Sequence, residues 1–213
     1  MGQKVNPTGF RIGKINNAPP CQSSWFTSIK NYPLFLLEDK KIRDFVQKRI
    51  YSAGVVSTKI QRFNKRIKIT LVVSRPGIVI GRGGKELEQT KKELNKIIKL
   101  SSGGKNLDIQ VEEFKTPELS AKLVAEKIAF QLTKRMSYRR VVLFAIEKAI
   151  SAGAKGVKII LSGRINGAEI SRREKFSQGK VPLSTLRSRI DYYQCPSLTR
   201  SGYIGVKVFI CLE

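Results

Sequence analysis

The chain has 213 residues, 41% of them hydrophobic, and carries 41 Lys and Arg against 16 Asp and Glu, a formal charge of +25 with an isoelectric point near 10.3. This is enough chain for two compact domains with cores of their own, which excludes a disordered basic tail, and a field of that strength gathers polyanions, nucleic acid first. The absence of histidine excludes Ser/His/Asp and Cys/His catalysis and histidine metal centres, and no run of about 18 apolar residues is present to span a bilayer.

Residues 1 to 37 are rich in Gly, Pro, Asn and Ser, with Pro19-Pro20 and Trp25-Phe26 but no sustained period, and are expected to form a basic extended arm. Trp25, Phe26, Tyr32 and Phe35 are expected to anchor that arm on the first domain, the alternative being a base-stacking surface. From Glu38 a helix is predicted, with Ile42, Phe45, Val46, Ile50 and Ala53 on one face, Glu38 and Asp39 in the first turn and Gly54 as the stop. Val55 to Phe63 is weakly strand-like, Asn64-Lys65 marks a turn, and Ile67, Ile69, Leu71 and Val73 alternate as in a half-buried strand, so a hairpin is predicted.

The run Arg75-Pro76-Gly77-Ile78-Val79-Ile80-Gly81-Arg82-Gly83-Gly84-Lys85 follows. A P-loop would need glycine where Val79 stands and Ser or Thr where Glu86 stands, and the dinucleotide fingerprint lacks its third glycine at Glu86. The spacing fits instead a GxxG turn between two helices, Gly81-Arg82-Gly83-Gly84. Glycines there let backbone N–H groups approach phosphates, while Arg82, Lys85 and the start of the next helix add positive potential. Leu87, Leu94, Ile97 and Ile98 mark the buried side of that helix, Ser101-Ser102-Gly103-Gly104 its end, and Leu107, Ile109 and Val111 a third strand. This element order resembles a KH domain of the prokaryotic type, whose loop clamps about four nucleotides of single-stranded backbone.

A boundary is expected near Phe114-Lys115, giving an arm over 1–37, a type II KH domain over 38–113 and a second α/β domain over 114–213. Thr116 is the expected N-cap and Pro117 the first residue of a helix along Leu119, Leu123, Val124 and Ile128; a second helix is expected over Tyr138 to Ile150. Strands near Val157 to Leu161, Ala168 to Phe176, Leu183 to Tyr192 and Tyr203 to Leu212 complete an α+β fold: two helices on a mostly antiparallel four-stranded sheet. Gly163 to Gly167 is expected to be a hairpin turn. Cys21, Cys195 and Cys211 offer no disulfide framework or CxxC site and are expected to be ordinary thiols of a reducing compartment.

The opening residues Met1-Gly2-Gln3-Lys4-Val5-Asn6-Pro7 and Gly9-Phe10-Arg11-Ile12-Gly13 resemble the amino terminus of the family of the third small-subunit ribosomal protein. Further collinear blocks agree, among them Arg75 through Arg82, Gly163-Arg164, Gly167-Ala168-Glu169-Ile170, Gly179 to Leu183 and Ile204 to Val208, so the resemblance runs from end to end. It implies a structural, non-enzymatic protein that binds small-subunit rRNA in the head, touches neighbouring head proteins and lines the mRNA entrance. It implies no cofactor, metal, membrane or small-molecule substrate. For the entrance, the matching stretch is Arg135-Met136-Ser137-Tyr138-Arg139-Arg140-Val141-Val142-Leu143, so Arg139 and Arg140 carry over, with Arg135 beside them; the family commonly has a lysine where this chain has Leu143. A solvated helix face is the plainer reading of that pair.

Lys4 and Arg11 are expected in an RNA-embedded tail with Lys14, and Arg164, Arg172 and Arg173 are expected to meet rRNA phosphates, unless Glu169 and Glu174 pair them internally. Ser24-Trp25-Phe26, Lys30-Asn31-Tyr32 and Leu37-Glu38-Asp39 are similar to plastid members of the family, which implies a plastid ribosome, a bacterial cytoplasm being the alternative, and, without an amino-terminal leader, synthesis in the organelle. The alternative function is a free-standing KH regulator of mRNA. A nuclease would need gathered carboxylates, and neither Glu112-Glu113 nor Glu38-Asp39 has a recognisable partner.

Overall fold

The computed structural model describes residues 4–12, 22–63, 66–98 and 106–212, and the chain divides into two units: 20–115, and 116–213 together with 1–19. The predicted turn at Asn64-Lys65, the stop at Ser101 to Gly104, Lys14 and Cys21 lie outside the described residues. A short helix, α1 (Pro7–Arg11), belongs to the second unit.

The 20–115 unit runs β1 (Ser23–Ser24), α2 (Tyr32–Arg49), β2 (Val55–Arg62), β3 (Arg66–Val73), α3 (Pro76–Ile80), α4 (Lys85–Ile98) and β4 (Asn106–Glu113). Its sheet has the order β1-β2-β3-β4, with β2 and β3 antiparallel and β3 and β4 parallel. Parallel neighbours require a crossover, and α3, the glycine turn and α4 supply it. The alternation read from β3 is real: Ile67, Ile69, Leu71 and Val73 are buried against Ile42 and Val46 of α2 and Leu94 and Ile98 of α4. Each such side chain contributes about 1.5–3 kcal/mol of burial.

Helix α2 starts at Tyr32, ahead of the predicted Glu38, because Pro33 sits in its first turn where a missing N–H costs nothing. Glu38 and Asp39 are therefore not surface residues complementing a helix end. Asp39 is fully buried and accepts hydrogen bonds from Ser23 Oγ (2.8 Å), Trp25 Nε1 (2.9 Å) and Arg62 Nε (3.0 Å), while Arg62 Nη1 reaches Glu38 Oε2 at 2.8 Å. The Trp25 ring lies 5.6 Å from Phe35, edge on, and the Arg62 guanidinium stands 4.7 Å over Phe35. Trp25 and Phe35 thus anchor the segment before α2, as expected, whereas Phe26 is fully exposed.

In the second unit, a 3₁₀ turn (Pro117–Leu119) takes the place of the predicted helix start, and α5 spans Ala121–Thr133. Its first N–H is capped from far along the chain: Asp191 Oδ2 accepts from Ala121 N at 2.8 Å. Burial pushes the Asp191 carboxyl above its usual range, opposed by the N–H groups of Ala121 and Tyr192. Helix α6 (Tyr138–Ser151) and the strands β5 (Gly156–Gly163), β6 (Arg172–Gly179), β7 (Ile190–Thr199) and β8 (Gly202–Cys211) complete the unit. The sheet order is β6-β5-β8-β7, every pair antiparallel. Val157, Ile159, Leu161, Val206, Val208 and Ile210 pack under α5 and α6.

Two predicted strands shift. Ala168 to Ser171 belongs to the connection before β6, and β7 starts at Ile190 rather than Leu183. The cause of the second shift is Arg11, around which residues 182–188 are wrapped.

Candidate nucleic-acid interface

The glycine turn is built by backbone conformations that side chains resist. Gly81 closes α3 with its N–H on Gly77 O (2.9 Å) and φ 68°, ψ −177°, a combination left to glycine. A Cβ there would stand 2.7 Å from Glu86 Cγ. Gly83 and Gly84 also have positive φ, 62° and 78°, but a Cβ on either would meet open space. The turn is therefore shaped by φ and left open to its surroundings. Arg82 and Lys85 are exposed on it. Glu86, the acid nearest the turn, lies 3.7 Å from Arg49 Nη2 and Glu93, further along α4, lies 3.1 Å from Arg49 Nη1, so a cation from α2 offsets the carboxylate beside the turn, while Glu88 is exposed. The result is an exposed, cation-bearing backbone turn whose nearest carboxylate is paired with a cation.

In the second unit the corner between α5 and α6 carries Arg135, Arg139 and Arg140, all exposed. Arg135 has φ 58° and closes α5, its N–H on Leu132 O (3.0 Å) and that of Met136 on Gln131 O (3.3 Å). Arg139 lies 5.7 Å from the Tyr138 ring and its Nε donates to Tyr138 Oη (3.1 Å); that hydroxyl donates to Glu174 Oε1 (3.1 Å). Leu143 and Phe144 are exposed one turn on, 51% and 46%, with Lys148 Nζ 4.5 Å from the Phe144 ring. Lys134 stands 4.3 Å over Phe130. Leu143, where the resemblance implies a cation, thus lies on a surface where cations cap aromatic rings.

Arg11 requires a correction. It is 4% exposed and its guanidinium donates to five carbonyls: Ser188 O (2.9 Å), Pro7 O (3.0 Å), Pro182 O (3.3 Å), Leu183 O (3.0 Å) and Thr185 O (2.9 Å). All three of its nitrogens are engaged by backbone carbonyls and the group is shut off from solvent, so Arg11 is a staple rather than an exposed RNA-binding cation. The segment it ends is a capped helix, Asn6 Oδ1 accepting from Thr8 N at 2.9 Å, not an extended tail. Lys4 remains exposed.

The hairpin expected at Gly163 is a longer loop with a 3₁₀ turn (Ile165–Gly167), closed by Arg164 Nε on Ala168 O (2.8 Å). Arg172 pairs with Gly163 and Arg173 with Ser162 across β5 and β6, and both arginines are exposed. Glu174 points to Tyr138, and among the described residues no ion pair joins Glu169 or Glu174 to these arginines. Sequence reasoning passed over Lys158, Lys175 and Lys207; the signal was their alternation with buried strand residues on the sheet face away from the helices. Burial pushes the Cys195 thiol up, and Cys211 is buried, in keeping with structural cysteines.

Two family models match. One, described as KH domain, covers residues 41–119, and the other, described as Ribosomal protein S3, C-terminal domain, covers residues 128–210. Relatives named small ribosomal subunit protein uS3 align over 210 residues, 99% of this chain. That of Carboxydothermus hydrogenoformans is 47% identical with 91% of its own length covered, that of Desulforamulus reducens 46% with 91%, and that of Persephonella marina 46% with 89%. With both units matched in order and nearly the whole of each relative covered, the chain belongs to the uS3 family of small ribosomal subunit proteins.

Proposed function

We propose that the chain is a structural, non-enzymatic constituent of the small ribosomal subunit, binding its rRNA in the head beside other head proteins, with the α5–α6 corner lining the path of incoming mRNA. What carries this reading is a pair of exposed cationic features, one per unit, in a chain similar along 99% of its length to small-subunit proteins: the glycine turn with Arg82 and Lys85, and the corner with Arg135, Arg139 and Arg140. Guanidinium and ammonium groups on an exposed turn and a helix end recognise phosphate rather than base identity, which suits an RNA scaffold and a message of any sequence. Arg164, Arg172, Arg173 and Lys4 are further phosphate contacts in this reading. The relatives named above are bacterial, and the residues around Trp25 are similar to plastid members, so the ribosome proposed is of bacterial type, in a plastid.

Co-sedimentation tests the proposal against a free-standing KH regulator. The expected result is recovery of the protein with small subunits near one copy per particle. A predominantly soluble pool, with subunits lacking it, would favour the regulator.

A further inference from the structure

The second unit's sheet has two faces, and only one is covered by α5 and α6. On the other face the register sets Lys175 of β6, Ile160 of β5 and Lys207 of β8 in one row across the strands. Lys158 lies two residues from Ile160 along β5, and Arg173 two residues from Lys175 along β6. With strands about 4.8 Å apart, the Cα atoms of Lys175 and Lys207 are about 10 Å apart with Ile160 between them. None of the residues that these strands place on this face is acidic.

Much of the apolar part of the face is covered, while Leu198 and Tyr203, paired at the turn end of β7 and β8, stay exposed at 58% and 68%. Ile160, Ile190, Phe209 and Cys211 are buried, with Val181, Leu183 and Tyr192 packed on them. The Tyr192 ring lies 4.8 Å from that of Phe209, and Lys158 Nζ stands 5.6 Å over Phe209. Away from that turn end, what is left to a partner is charge: Arg173 and Lys175 are exposed, Lys158 and Lys207 half-buried. The amino-terminal segment adds another cation. Its helix, stapled to 182–188 through Arg11, leaves Lys4 close enough to repel Lys158, whose ammonium is pushed below its usual range by burial and then by Lys175, Lys4 and Arg173. Like charges closer than the Debye length of about 8–10 Å are poorly screened, so the folded protein holds a repulsion that a polyanion relieves.

We propose that this helix-free face is an RNA-backbone binding surface, in which Lys158, Lys175 and Lys207 take phosphates. The inference rests on the ribosomal reading above and adds a site to it. Lysine ammonium groups act as point charges here, so the surface holds folded RNA without reading sequence.

The test uses the full chain and small-subunit rRNA, with binding measured over about 50–200 mM salt. Lys158→Gln, Lys175→Gln and Lys207→Gln together are expected to flatten the slope of log affinity against log salt by about 2, from about 0.7–0.9 for each phosphate contact. The same variant should melt no lower than the parent at low salt, since the repulsion goes with the lysines. Lys175→Gln alone, at an exposed position, should flatten the slope by about 0.7 even if the triple variant folds poorly, and replacing the three lysines by arginine should leave it unchanged. Unaltered slopes for the triple and single variants, with parental binding intact, would overturn the surface and leave the ribosomal reading standing. Failure of the parent to bind small-subunit rRNA would remove both. Crosslinking from position 175 in assembled subunits should give an RNA adduct; a protein adduct alone would overturn the proposal in favour of a protein neighbour.

Discussion

The Arg11 guanidinium gathers five carbonyls from two stretches of chain, and a planar fork of five N–H groups is the side chain suited to that task. Truncation to alanine would strip the 182–188 loop of its donors and release α1. Arg11→Ala is expected to lower the stability of the second unit by about 2–4 kcal/mol in urea unfolding, and Arg11→Lys to recover less than half of that, because an ammonium cannot span the same carbonyls. A loss below about 0.5 kcal/mol would mean that the segment is held by something else. Arg135 poses the opposite case. At φ 58° it occupies a left-handed position at the end of α5 where glycine is the relaxed choice. Arg135→Gly is expected to stabilise the unit by about 0.5–1 kcal/mol in thermal melting while weakening RNA binding, the sign pattern of a cation kept for its charge.

Three elements of the KH unit meet at one buried charge cluster: Glu38 and Asp39 from α2, Arg62 from the end of β2, and Ser23 of β1, which donates to Asp39. Burying such groups is costly, and the return comes only when all partners are present. Arg62→Ala would leave two carboxylates buried without their cation. The expected cost is about 3–5 kcal/mol, read as loss of cooperative unfolding or of soluble protein. The glycine turn rests on the same unit. Its shape depends on positive φ at Gly81, Gly83 and Gly84 and on the crossover that β3 and β4 demand, so the loop chemistry and the sheet topology are one requirement.

For the molecule as a whole, a charge of +25 makes electrostatics the common term in every contact it forms with RNA. Arg139→Ala with Arg140→Ala removes two exposed cations from the α5–α6 corner without disturbing a buried residue, since Val141, Val142 and Ile146 carry the packing of α6. Subunit incorporation should persist, and translation through hairpin-containing messages should slow severalfold; equal rates on structured and unstructured messages would sink the entrance role. Much of this was legible beforehand. The period-two run of β3, the helical periods of α4, α5 and α6, the glycine turn and the surplus of cations all depend on composition and on neighbours a few residues apart, and the KH order follows from them, while the resemblance to ribosomal proteins rests on the collinear residue blocks from Met1 to Val208. Other features were hidden for a physical reason. Arg11 finds its loop carbonyls 171 to 177 residues along the chain, Ala121 its capping carboxylate 70 residues along, and Asp39 its arginine 23 residues along. Side chains alone could establish that this molecule is a basic, two-part RNA binder. Whether a given cation meets water or protein carbonyls is a matter of long-range packing, which no local pattern encodes, and it separates Arg11 from Lys4; the alternation of Lys158, Lys175 and Lys207 is local, but only the strand register gathers them on one face.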